Sequence, residues 1–387
     1  MSEWKEYKIK DITSKITSGG TPKSSEASYY DGTIPWLNTK EINFNRITKT
    51  ERCITEEGLN NSSAKWIPKG SVIVAMYGAT AAKVAYSLID LTTNQACCNL
   101  IIDEDKANSQ FVYYYIQSSY EELLNLACGA AQQKLSVGVI GDFPISLPPL
   151  DEQKRIVSIL SSLDDKIDLL NRENATLEAM AETLFRQWFI EEAKEDWEEG
   201  TISDLIDFNP TRKLAKDTTA PFLEMSNLST STYAPTDWYD RAFSSGTKFK
   251  NGDTLLARIT PCLENGKTAY VDFLNEGQIG WGSTEFIVLH SKVGLHPFLS
   301  YVVAKYQDFR DYAESCMAGS SGRQRVDVDN LKNYPISIPD TITSNRFNAD
   351  VESFVPKMQI NNKQIRNLKI QRDILLLKLM SNEINFE

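Results

Sequence analysis

Two short loops, 191 residues apart, carry the side chains best suited to reading a pattern of hydrogen bonds: Gln132-Gln133-Lys134 and Arg323-Gln324-Arg325. An amide offers a donor beside an acceptor, which matches the edge of adenine, and a guanidinium offers parallel donors, which match guanine. Lysine, serine, threonine and backbone N–H groups suit phosphate instead. Each loop adjoins small residues, Gly129-Ala130-Ala131 in one case and Gly319-Ser320-Ser321-Gly322 in the other, that would let backbone approach a nucleic-acid strand. A second matched pair joins Tyr77, Gly78 and Lys83 to Arg258 and Lys267, and a third joins Asn38 and Lys40 to Ser226 and Asn227. The fourth sets Thr21 and Lys23, in Gly19-Gly20-Thr21-Pro22-Lys23, against Arg212 and Lys213, in Asn209-Pro210-Thr211-Arg212-Lys213. The Gly19-Gly20 segment lacks the G-x-x-x-x-G-K-[ST] spacing of a phosphate loop. For every one of these loops, a solvated surface turn is the plain alternative.

The chain offers little for catalysis. Its two histidines, His290 and His296, lie close together where a strand ends and a helix starts, and its six cysteines include no C-x-x-C. The usual zinc spacings are therefore absent, and the thiols read as small core residues. No N/D-P-P-Y/F tetrad, glycine-rich cofactor fingerprint or compact nuclease cluster is present. We expect no metal and no resident cofactor. With 387 residues, 41% hydrophobic and 24% charged, the chain has the composition of a globular protein large enough for two or three cores. It has neither a spanning apolar run nor a secretory start, so cytoplasm without membrane is the expectation.

Charge is unevenly placed. Residues 151–199 hold 14 acids against 6 bases, whereas 1–150 hold 16 against 14 and 200–343 hold 17 against 14. Much of the net charge of -11 thus belongs to one segment. The near-neutral remainder can still gather its bases on one face.

The elements that must position these loops are written twice. Asp142-Phe143-Pro144-Ile145-Ser146 returns as Asn333-Tyr334-Pro335-Ile336-Ser337, and Gly70-Ser71-Val72-Ile73 as Gly252-Asp253-Thr254-Leu255. Self-similarity over half the length indicates a duplicated unit. Residues 72–76, 97–102, 254–257 and 286–289 read as strands, and 109–126 and 296–316 as amphipathic helices. Each copy then runs into a long helix, the first with Asp151 as its N-cap. Ile156, Leu163, Ile167, Leu170, Asn174, Leu177 and Leu184 form an a/d seam in the first; Phe354, Met358, Asn361, Ile365, Leu368 and Leu375 form one in the second. Each seam contains an Asn, which commonly fixes register, so we expect the helices to pair with each other, antiparallel. From Asp151 to Trp188 the first would span ~57 Å. Two heads on a two-fold frame would suit duplex DNA, whose half-sites lie a helical turn or more apart.

Gly20-Thr21-Pro22, Tyr30, Ile34-Pro35-Trp36-Leu37 and Leu147-Pro148-Pro149-Leu150-Asp151-Glu152-Gln153-Lys154-Arg155-Ile156 resemble the specificity subunit of type I restriction-modification systems, and the resemblance covers the whole chain. It implies an α/β (α+β) protein with two mixed α/β target recognition domains in tandem, 1–150 and 196–343. Long helices at 151–195 and 344–387 would form an antiparallel coiled coil with pseudo-two-fold symmetry. The implied role is non-catalytic: reading a split, asymmetric double-stranded DNA target and docking two modification (methyltransferase) subunits, with restriction subunits joining through them. S-adenosylmethionine would belong to the modification subunit, whose target base must leave the stack. The second copy departs from the pattern, since Ile338-Pro339-Asp340-Thr341 lacks Glu-Gln and Pro356 interrupts its seam. The rival reading is a duplicated coiled-coil scaffold that binds only proteins.

Overall fold

The computed structural model describes residues 4–127, 134–320 and 322–384, which form two compact units. The first comprises residues 1–165 and 369–387; the second comprises 166–368. Both long helices contribute to both units.

The first unit is built on two larger sheets, beside the two-stranded pairing of Lys5–Lys8 with Pro144–Leu147. One has the order Thr13–Ser18, Cys97–Ile102, Val72–Ala75, Val84–Ser87, Asn45–Ile47; the other runs Arg52–Ile54, Tyr30–Leu37, Leu91–Thr93, Trp66–Ile67. The second unit repeats this plan. Its sheets run Ile206–Phe208, Phe286–Ser291, Asp253–Ala257, Thr268–Tyr270 and Tyr239–Ala242, Thr219–Leu223, Gly280–Gly282, Thr247–Phe249. Strand for strand the order matches, apart from the added Asn45–Ile47 edge. Even the parallel pair recurs, Trp36 beside Thr92 in one unit and Phe222 beside Trp281 in the other.

Both faces of the central strands are covered: all four residues of Val72–Ala75 and all five of Asp253–Ala257, including polar Asp253 and Thr254, are buried. One face packs on a helix pair. Sequence spacing suggested one continuous helix there in each copy, yet each breaks into two. In the first unit Ser118-Ser119 ends Ser109–Ser118, with the Ser118 hydroxyl donating back to the Tyr115 carbonyl at 2.8 Å, before Tyr120–Ala127 begins. Serines compete for the backbone in this way. In the second unit Tyr306 adopts extended backbone between Leu299–Lys305 and Gln307–Ser315.

The first long helix, Leu150–Phe185, starts one residue before the expected Asp151 cap; the Pro149 carbonyl accepts from both Glu152 and Gln153. Asp151 therefore sits in the first turn, where an acid still favours the helix dipole. At its far end the helix widens to a π turn over Arg186–Glu191, which brings Trp188 and Phe189 into the second core together. The second long helix, Thr341–Met380, passes unbroken through Pro356. Proline removes one backbone bond there, but the position is exposed and water can serve the freed carbonyl. Its start is capped by Asp340, whose carboxylate accepts from the Thr343 N–H at 2.7 Å and pairs with Lys194. These bonds hold the Asp340 carboxyl well below the usual carboxylate range.

Within the second unit the helices run antiparallel. Asn361 donates to Asn174 at 2.9 Å, Asn174 donates to Asn362 at 3.0 Å, and Arg346 lies over Trp188. Ile167 and Leu170 pack with Ile365 and Leu368. Ile156, Val157 and Leu160 join Leu376 and Leu379 in the first core, while Ala181 and Phe185 join Phe347, Val351 and Met358 in the second. Toward the modules the seam thus serves two partners, the other helix and the module core.

Candidate nucleic-acid interface

The loop frame is held from below by the residues that carry the family resemblance. Gly19 and Gly20 pass so close to Thr93 and Ser63 that a Cβ on either would lie about 2.1–2.2 Å from backbone. The Tyr30 hydroxyl donates to the Pro22 carbonyl at 2.6 Å, and the Trp36 indole donates to the Gly20 carbonyl at 2.9 Å. Thr21 and Lys23 are exposed on this braced loop, Thr21 bonded to Gln95 and Lys23 paired with Glu26. Gln153 is buried under the frame; it donates to the Pro148 carbonyl and accepts from the Asn108 N–H, each at 2.8 Å. These motif residues are structural.

Two of the paired loops converge at the end of each central strand. In the first unit the Leu135 N–H donates to the Met76 carbonyl, Tyr77 forms a bridge with Lys134, and the Lys134 ammonium lies 5.2 Å from the Tyr77 ring centre. In the second unit the Val326 N–H donates to the Arg258 carbonyl, Ile259 bridges Arg325, and Thr260 donates to the Gln324 carbonyl. Gly78, with φ of +69°, turns the first of these loops outward with nothing within 4 Å of where a Cβ would stand. Lys134, Arg323 and Arg325 are exposed there, as is Ser320. Gln132, Gln133 and Ser321 lie outside the described residues.

Several expected contact residues are occupied otherwise. Arg212 is 13% exposed and forms a salt bridge at 2.8 Å to Asp253, which is fully buried. Breaking that pair would strand a buried carboxylate, so Arg212 leaves the set of expected DNA contacts, and only the neighbouring Lys213 remains exposed. Lys83 donates to Asn43 at 2.7 Å, and Lys267 donates to the Met225 carbonyl at 2.9 Å. The backbones of these two lysines hold matching places, accepting from Ala75 and Ala257. Each ties the strand hairpin back to an earlier turn, Asn43 just past Thr39–Glu41 in one unit and Met225 within Met225–Asn227 in the other, so both are positioning residues.

Asn38 and Asn227 cap those turns. Asn38 accepts from the Lys40 N–H, while Asn227 accepts from the Glu224 N–H. The boxes are mirror-written: Asn38 with Glu41 in one copy, Glu224 with Asn227 in the other. Asn38 therefore corresponds to Glu224, as the match of Pro35-Trp36-Leu37-Asn38 to Pro221-Phe222-Leu223-Glu224 in the sequence expects, and Glu41 corresponds to Asn227. Lys40 is exposed and pairs with Glu51.

One residue escaped sequence reasoning. Glu285 takes the Arg325 side chain in a bidentate grip, with Nε at 2.9 Å and Nη2 at 2.7 Å from one carboxylate oxygen. Arg258 stands 4.0 Å from the other oxygen, and its guanidinium also donates to the Val326 carbonyl. Arg325 holds the Glu285 carboxyl below its ordinary range. Alignment of the repeats could have exposed this difference: the Met76 N–H donates to Ala96 where the Arg258 N–H donates to Glu285.

No metal-binding group of three or more His, Cys, Asp or Glu occurs among the described residues, and no helix among them is long and apolar enough to cross a membrane. Both histidines face carboxylates, His290 near Asp253 and His296 near Glu352.

The sequence matches the family described as type I restriction modification DNA specificity domain over residues 1–179 and 194–367. It is 26% identical to the MjaIX specificity subunit of Methanocaldococcus jannaschii, over 100% of this chain and 94% of that one. It is 28% identical to the EcoR124I/EcoR124II specificity subunit of Escherichia coli, over 41% of each. Among solved structures, the type I restriction-modification S subunit from M. genitalium aligns with a TM-score of 0.52 at 17% identity, covering 98% of this chain and 96% of that one, which is a likeness of fold.

Proposed function

We propose that this chain, which belongs to the type I restriction modification DNA specificity family, reads a split and asymmetric double-stranded DNA target and carries no chemistry of its own. Residues 1–150 and 196–343 are the two target recognition domains. Residues 151–195 and 344–387 are the helical regions on which two modification (methyltransferase) subunits dock, with restriction subunits recruited through them. S-adenosylmethionine belongs to the modification subunit, and the assembly works in the cytoplasm, where the genome is.

The observation that carries this reading is a loop cradle built twice on one sheet plan with different side chains: Lys134 beside Tyr77 in one unit, Arg325 beside Arg258 in the other. A common frame with unlike loops suits two modules that read different bases. We retain Tyr77, Gly78, Lys134, Ser320, Arg323, Gln324 and Arg325 at the centre of the reading surfaces. Thr21, Lys23, Lys40 and Lys213 stand as backbone contacts.

Methylation-sensitive sequencing of the host genome with and without this gene tests the reading. The expected result is a two-part motif whose methylation disappears with the gene. Unchanged methylation, together with no salt-dependent DNA affinity of the assembled complex, would instead support a protein-only scaffold.

A further inference from the structure

We propose that Arg325, clamped by Glu285, reads a guanine in the major groove within the half of the target contacted by the second module. This inference rests on the DNA-reading function proposed above and assigns one residue pair to one kind of base.

A guanidinium has five N–H donors in a rigid fork. Glu285 takes Nε and one hydrogen of Nη2, at 2.7–3.0 Å. Three donors are left, one on Nη2 and two on Nη1, and Nη1 makes no hydrogen bond among the described residues. The free end is the Nη1/Nη2 edge, whose parallel donors match the O6 and N7 acceptors of guanine. Arg325 is 46% exposed, and Glu285, at 23%, is the more covered member of the pair.

The clamp also removes freedom that binding would otherwise have to freeze. An unsupported arginine loses rotamer entropy on docking; one already held in a bidentate ion pair loses less. Backbone bonds fix the base of the side chain, because Arg325 pairs with Ala318 in a short ladder and bridges Ile259. Arg258 stands behind the same carboxylate and balances its charge, so Glu285 does not present an uncompensated anion to DNA. The first unit has Ala96 in the place of Glu285 and a lysine, a point charge with no fork, in the place of Arg325.

The test uses the full chain assembled with its modification subunits, comparing the wild type with Arg325→Lys, Arg325→Ala and Glu285→Gln. The readouts are the genomic methylation motif and competition binding against duplexes altered one base pair at a time. Arg325→Lys keeps the positive charge, so phosphate attraction and assembly should persist. Discrimination for guanine at one position of one half-site should fall by about 5- to 150-fold. Glu285→Gln should relax the same position and no other, an effect that a merely structural role would not produce. A motif that stays strict at every position in Arg325→Lys and Arg325→Ala overturns the proposal, as does a second half-site with no G·C pair. In either case the DNA-reading function stands. A wild-type complex with no sequence-specific binding at all would overturn that function as well.

Discussion

The two units use one frame to hold opposite kinds of cation. In the first, Lys134 lies over an aromatic ring, a point charge backed by Tyr77. In the second, Arg325 is locked edge-on to Glu285, with Arg258 behind it. Beneath these differences the backbone bonds correspond one for one, Leu135 to Met76 and Val326 to Arg258. Recognition chemistry can therefore change by exchanging side chains at the end of a central strand, without altering the sheet that carries them. The same division appears in the cores: fully buried Asp253, paired with Arg212, follows Gly252 where buried Ser71 follows Gly70.

The strongest challenge to this comparison is to erase both cradles. Replacing Gln133, Lys134, Gln324 and Arg325 together by Ala should bring specific binding by the assembled complex toward its nonspecific level, a fall of about a thousandfold or more. Assembly, followed by size-exclusion chromatography, should be unchanged. Normal affinity for the cognate duplex would remove these loops from the reading surface.

The buried pair comes next. Asp253→Ala leaves Arg212 buried and unpaired and should cost about 3–5 kcal/mol. Ser71→Ala, at the matching place in the first unit, should cost about 1 kcal/mol. Denaturant titration of the two variants measures the contrast, and equal costs would contradict it.

A smaller difference depends on pH. Tyr114 in the first unit donates to Asp164, which Arg372 neutralises at 3.0 Å. In the second unit Glu178 accepts from the Tyr301 hydroxyl at 2.8 Å and from the Tyr233 N–H at 3.2 Å, with Glu182 and Lys305 nearby. Burial pushes the Glu178 carboxyl from its ordinary 4.5 up to about 7. The folded state thus keeps a proton that the unfolded chain gives up, so this group's contribution to stability falls as pH rises from 4.5 to about 7 and then levels. The slope approaches about 1.4 kcal/mol per pH unit at most. Unfolding midpoints measured across that window should flatten in Glu178→Gln.

The smallest expected effect is a graft. Ala96→Glu with Lys134→Arg should give the first module a clamped fork and shift its half-site toward guanine by about 1 kcal/mol, the low end for a bidentate pair. A selection of bound duplexes from a random pool would show the shift.

Much of the frame was legible in the sequence. Heptad spacing marked both long helices, and the two seam asparagines, Asn174 and Asn361, do meet. The repeat offsets brought together Lys134 and Arg325, which hold matching places. The helices at 109–126 and 296–316 read as unbroken because their apolar spacing continues across Ser119 and Tyr306, where local backbone bonding wins over periodicity. Arg212 and Arg325 looked alike as loop arginines. Nothing in local sequence separates a guanidinium buried against Asp253 from one held open by Glu285, since both carboxylates lie about 40 residues away along the chain.

What the sequence determined by itself was everything governed by period and repetition: two copies of one module, two long helices with a paired polar register, and loops of unlike composition on like strands. These follow from spacing, because hydrophobic burial selects for it over a few residues at a time. The tertiary structure alone decided which cations are spent and which are free. Ion pairs and hydrogen bonds depend on a few ångströms between distant segments, so Arg212 is buried against Asp253, and Lys83 and Lys267 are tied to Asn43 and the Met225 carbonyl, while the cradle left Lys134 and Arg325 at the surface.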